Sequence, residues 1–153
     1  MLKDAFAGKS YSFKRTIVSR NRALPSGRVD GVASFTNLLD PSDILYKEEG
    51  TFTTSDFVAI KVSRSYIWRF SDDRSLEIYF IAQFENPPKI DYLFLPLVFD
   101  DSLVAEAVHP CCDDLYEAKY DFAGLQQGEW TVEYLVKGPE KDYTLRTCYS
   151  RIY

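Results

Sequence analysis

Apolar and polar residues alternate in short runs along the whole chain, and turn-forming residues separate the runs. Residues 11–18 place Tyr11, Phe13, Arg15 and Ile17 on one face, and 29–36 place Gly31, Ala33 and Phe35 together. Residues 44–54 align Tyr46, Glu48, Gly50 and Phe52; 57–70 align Arg64, Tyr66, Trp68 and Phe70. Past the tight loop 71–74, Leu76, Ile78, Phe80, Ala82 and Phe84 make an almost wholly apolar face, which Asn86-Pro87-Pro88 ends. Residues 91–99 are apolar on both faces and read as a strand buried on both sides. Three further runs align Tyr116, Ala118, Tyr120 and Phe122; then Trp130, Val132, Tyr134 and Val136; then Tyr143, Leu145, Tyr149 and Arg151. A period of two bounded by turn residues predicts strands. Helix signals are confined to about two turns over 3–9 and to 102–108, which fits a turn of helix or a strand.

Nine or ten strands with hairpin-length connections predict an all-β chain, either a sandwich or an up-and-down barrel. Short links between consecutive runs favour the barrel, and closure removes exposed strand edges. At 153 residues the chain suits one domain over 1–153. Eleven Tyr, eleven Phe and two Trp enrich it in rings that favour half-buried pleated surfaces.

A net charge of −5 argues against nucleic acid and anionic membranes, and the basic stretch 14–22 is spread over a strand and a loop. No apolar segment is long enough for a spanning helix, and the N-terminus lacks a signal-peptide core, so a cytoplasmic location is expected. Cys111, Cys112 and Cys148 are an odd set in a reducing compartment and are expected as free thiols.

Three strings in the C-terminal half carry a resemblance: Tyr92-Leu93-Phe94-Leu95, His109-Pro110-Cys111-Cys112-Asp113-Asp114-Leu115-Tyr116 and Lys137-Gly138-Pro139-Glu140-Lys141-Asp142-Tyr143. Upstream stand Gly31-Val32-Ala33-Ser34-Phe35, Leu45-Tyr46-Lys47-Glu48-Glu49-Gly50 and Arg64-Ser65-Tyr66-Ile67-Trp68, and the chain ends on Tyr149-Ser150-Arg151. In this order they resemble a family of small calycin-like domains from bacteria and fungi, with the patterns YLFH, HxCxxDxY and VxGPxKDY. The resemblance implies a lipocalin-like barrel around a small ligand. It also implies that an arginine of the last strand, Arg151, packs over Tyr11 or Phe13 on the first. The sequence departs from the pattern at Leu95, where the family has histidine, and Tyr11 stands where it usually has Trp. His109 is thereby the sole imidazole, and Leu95 reads either as an apolar wall for a more apolar ligand or as simple drift.

The candidate chemistry follows from these faces. His109 suits proton transfer near neutral pH, oriented by Asp113 or Asp114 and sharing a network with Tyr116; the structural alternative is a histidine holding a turn. His109, Cys111 and Cys112 lack a second cluster to complete a metal site, and haem ligation by His109 has no supporting motif, so neither metal nor cofactor is expected. A Cys111–His109 nucleophilic pair has no identifiable oxyanion hole. The inward set Tyr46, Glu48, Arg64, Tyr66 and Trp68 offers a paired buried charge among rings, either to polarise a ligand or to hold a packed core. The turn at 138–142 reads as a hairpin with Lys141 exposed.

Two functions follow. One is a cofactor-free enzyme of secondary metabolism (cyclase, isomerase or dehydratase, a lyase) acting on a hydrophobic metabolite. The other is a carrier that sequesters such a ligand. His109, Glu48, Tyr46, Tyr66 and Arg64 are the catalytic candidates; Trp68, Leu95, Tyr116, Phe94 and Tyr134 are the ligand-binding ones. The expected partner is a small hydrophobic or aromatic molecule, with a homodimer left open. A packed, ligand-free interaction module is the third option.

Overall fold

The computed structural model describes residues 1–21, 24–83 and 87–153. Phe84, Asn86 and Arg22, which the sequence places on a strand face, at a strand end and in the basic stretch, lie outside the described residues. Ten antiparallel strands form one sheet: β1 (Ser10–Ser19), β2 (Gly27–Asn37), β3 (Asp43–Thr54), β4 (Ala59–Asp72), β5 (Ser75–Gln83), β6 (Lys89–Val98), β7 (Val104–Cys111), β8 (Asp114–Asp121), β9 (Glu129–Lys137) and β10 (Asp142–Ile152). Each strand pairs with its neighbours in sequence, except β6 with β7, and β1 pairs with β10 from Ser10↔Ile152 to Ser19↔Tyr143. β6 and β7 end the hydrogen-bonded order and pack side by side, so the barrel is nearly closed. This is the all-β, up-and-down architecture that the alternation predicts. Among the described residues no helix is long and apolar enough to cross a membrane.

One end of the barrel is plugged. The N-terminal segment forms a 3-10 turn, Leu2–Ala5, rather than two turns of α-helix, and Gly8, at φ +70°, redirects the chain into β1. So short a helix has little stability of its own. Burial fixes it: Phe6 is fully enclosed, with its ring 5.1 Å from Phe122, 5.2 Å from Phe35, 5.3 Å from Trp68 and 5.6 Å from Trp130. Tyr11 reinforces the plug by donating its hydroxyl to the Ala5 carbonyl at 2.7 Å.

Two further expectations need correction. β6 is not buried on both faces: Val98 is 70% and Tyr92 53% exposed. The β5–β6 register shifts between Ile78↔Leu95 and Tyr79↔Leu93, so Phe94 and Leu95 are both buried and the alternation changes phase there. A bulge thus makes a one-faced strand look apolar throughout. Phe57 precedes β4, sitting exposed at φ 63° in the β3–β4 turn. Of residues 102–108, the strand alternative holds from Val104, where β7 begins, after a turn with Leu103 left-handed at φ 60°.

Opposite the plug, the connections β1–β2, β3–β4, β7–β8 and β9–β10 surround an open end. The β4–β5 ladder runs from Ile67↔Tyr79 to Asp72↔Ser75, on the plugged side. Toward the open end, Tyr66 and Phe80 face a cavity instead.

Candidate functional site

The open end is floored by a buried ion cluster centred on Glu48. Glu48 lies opposite Arg64 in the β3–β4 ladder and opposite Ala33 on β2. Arg15, from β1, reaches it across β2, where the inward residues Gly31 and Ala33 put no bulk in the way. A side chain at Gly31 would meet the Phe13 ring at 2.7 Å, so glycine here also seats that ring.

Arg15 grips the carboxylate with both ends of its fork, Nη1 to Oε1 and Nη2 to Oε2, each at 2.9 Å. Its Nε donates to Thr147 Oγ1 at 2.8 Å. Arg64 donates its Nε to Glu48 Oε1, and Tyr46 donates its hydroxyl to Oε2. Tyr46 in turn meets the Tyr149 hydroxyl at 3.0 Å.

Burial alone would raise the Glu48 pKa. The hydrogen bonds from Arg15 and the charges of Arg64 and Arg15 outweigh it and bring the carboxyl down to about 2. Burial pushes the Tyr46 and Tyr149 phenols up. At neutral pH the cluster is therefore two cations and one anion, underlain by neutral phenols.

Two cavities open above this floor. The larger, about 360 Å³, has Arg15, Glu48 and Arg64 at its base and Phe13, Phe52 and Val62 among its walls. The smaller, about 300 Å³, is an aromatic compartment with Tyr66, Phe80, Tyr92, Phe94, His109 and Tyr116. Arg64, Tyr143 and Leu145 line both and form the divide. These volumes are at the lower end of the range of small-molecule sites.

The structure divides the candidate residues into two groups. Arg64, Tyr66, Phe94, His109, Tyr116 and Tyr134 meet at the aromatic compartment, and Glu48 and Arg64 at the larger one. Tyr46 and Trp68 line neither; they face a central void of only about 20 Å³, with Trp68 stacked on Tyr46 at 5.3 Å. Leu95 is fully buried beside Ile78 and makes no cavity wall, because the bulge carries its side chain into the packed core.

His109 is half-buried with its ring 5.1 Å from Phe94, but it forms no hydrogen bond with Asp113, Asp114 or Tyr116. Asp114 and Tyr116 are otherwise engaged. Lys141 donates to Tyr116 Oη at 3.0 Å and pairs with Asp114 at 3.1 Å, and these contacts raise its pKa. Lys141 is thus a half-buried strut between the β7–β8 and β9–β10 turns rather than a free surface lysine. The fit is close enough that a side chain at Gly138 would collide with the Asp114 carboxylate. Cys111 lines the aromatic compartment with His109, while Cys112 and Cys148 are exposed; all three are free thiols. Among the described residues no three His, Cys, Asp or Glu side chains group as metal ligands.

Four contributors escape the sequence reading: Arg15, Thr147, Tyr149 and Tyr143. The signal for Arg15 is present, a charged residue on the same face as Tyr11, Phe13 and Ile17. Arg151 stands opposite Tyr11 across the first and last strands and acts on its hydroxyl, which is the residue pair the resemblance implies. Its guanidinium lies 5.2 Å from the Tyr153 ring, and the cation over Phe13 is Arg15, at 4.9 Å.

The strings that carried the resemblance converge here. Tyr92 and Phe94 come from the first, His109, Cys111 and Tyr116 from the second, and Tyr143 from the third. A family model described as "Family of unknown function (DUF6314)" matches residues 6–151, nearly the whole chain. The chain belongs to the DUF6314 family. No curated protein matches the sequence. Among solved structures, the S-type phycobiliprotein lyase CPES from Guillardia theta is similar in fold, with a TM-score of 0.66 and 13% identity. The match covers 98% of this chain and 90% of the lyase. At that identity the likeness establishes the fold alone.

Proposed function

We propose that the open end of the barrel binds a small organic molecule, as a carrier or sequestering site. One observation carries this reading: the two cavities share Arg64, Tyr143 and Leu145, so they form one divided, ring-lined basin above a fixed ionic floor. A fully packed interaction module would need neither the basin nor charges set beneath it.

Acid–base catalysis through Glu48 is disfavoured. A carboxyl with a pKa of about 2, clasped by two guanidinium groups, is a poor proton acceptor near neutral pH. Tyr46 is buried beneath it and its phenol is held protonated. His109 is the acid–base group that a catalytic version of the site would use, since it lines the basin and has no fixed hydrogen-bond partner among the described residues. The likeness to a phycobiliprotein lyase agrees with a barrel that handles a ligand, and neither reaction nor substrate is taken from it.

Native mass spectrometry of the protein purified from its source cells tests the proposal. A bound species of a few hundred daltons, released on denaturation and lost in Leu145→Trp, is the expected result. Leu145 is chosen because it lines both cavities, so an indole there fills the basin from its middle. The bare mass in both proteins, together with failure of apolar probes to bind, would contradict it.

A further inference from the structure

Charge at the floor of the basin does not balance. Two guanidinium groups, Arg15 and Arg64, meet one carboxylate, Glu48, which leaves one net positive charge inside a chain of formal charge −5. The ionic pairs at the rim of the basin, Lys141 with Asp114 and Arg20 with Asp142, are each neutral as a unit.

The two arginines are not equivalent. Arg15 is buried and spent: Nη1 and Nη2 go to Glu48, Nε to Thr147, and Nη2 also approaches the Tyr149 hydroxyl at 3.4 Å. Arg64 uses Nε alone. Neither of its Nη atoms donates to a described residue, although its side chain is 39% exposed and borders both cavities. Its position is nonetheless fixed, by Glu48 on one side and by the Tyr66 ring 5.8 Å away.

A pre-positioned fork with two free donors matches a planar carboxylate. The surroundings strengthen that match, because Phe52, Val62 and Leu145 keep the local dielectric low and make an unpaired charge costly. We infer that the ligand is an amphipathic anion whose carboxylate pairs with the free edge of Arg64, while an apolar body fills the larger cavity. This rests on the open end being a small-molecule site. Glu48 then acts as a positioning residue: it orients Arg64 and takes up Arg15, and leaves one positive charge for the ligand.

The test is a pair of probes that differ only in charge, 1-pyrenebutanoate and 1-pyrenebutanamide, titrated by fluorescence into the full chain at low salt. Charge-assisted hydrogen bonds predict that the acid binds about tenfold or more tightly than the amide. That preference is expected to shrink as salt rises and to fall below about threefold in Arg64→Gln. Arg64→Lys, with the charge but not the fork, is expected to keep part of it. Equal affinity of the wild-type chain for acid and amide would overturn the anion site while leaving the small-molecule site standing, whatever the variants do. Failure of both probes would remove the site itself.

Discussion

At the plugged end of the barrel, Phe6, Phe35, Trp68, Phe122 and Trp130 meet ring against ring, with no charge among them. At the open end, a second set of rings, Tyr66, Phe80, Phe94 and Tyr116, surrounds space and stands over Arg15, Glu48 and Arg64. Both ends are rich in rings; what fills the gap between the rings sets them apart. A plug of chain, Leu2 to Phe6, completes one cluster and makes it a core. Nothing equivalent closes the other among the described residues, and the central layer of Tyr46, Tyr149 and Glu48 stands between them.

The contrast can be broken by substitution. Phe6→Ala empties the centre of the plugged cluster and is expected to cost about 3–5 kcal/mol in urea unfolding. Glu48→Gln leaves two guanidinium groups without their carboxylate and is expected to cost about 3 kcal/mol or more. Double-mutant cycles should then show a stronger Arg15–Glu48 than Arg64–Glu48 coupling, because Arg15 is buried and bidentate whereas Arg64 is partly open to the basin.

Titration of the same carboxylate gives the next effect. Its folded pKa of about 2 lies below the ordinary 4.5, so its contribution is complete above about pH 5 and is lost as pH falls from 4.5 through 2. The loss is on the order of 3 kcal/mol and should be absent in Glu48→Gln. Lys141→Met removes a strut that is more than a third exposed and should cost at most about 1 kcal/mol. His109→Ala is expected to fall within about 1 kcal/mol of wild type, since the imidazole makes no hydrogen bond with a described residue and faces the basin. A His109 variant as destabilised as Phe6→Ala would mean that the open end is packed like the plug.

The strands and their inward faces were legible because a period of two survives in sequence wherever pairing is regular. Tyr46, Glu48, Arg64, Tyr66 and Trp68 do share the interior, as the alternation indicates. Depth along the barrel axis was not legible, and it separates Trp68, in the packed layer, from Arg64, at the basin. Arg15 was missed as a partner because it joins Glu48 across an intervening strand, which no spacing along the chain encodes. Leu95 was misplaced because a bulge changes the phase of β6 without altering its composition. Lys141 looked exposed because its partners, Asp114 and Tyr116, belong to another hairpin.

Methyl NMR during titration with 1-pyrenebutanoate tests the central claim most directly, because leucine and valine report from both ends. The account predicts that Val29, Val62, Val136 and Leu145, which line the basin, shift with the probe, while Leu76 and Leu97, buried on the plugged side, stay still. Shifts centred on Leu76 and Leu97, or none anywhere at saturating probe, would contradict it.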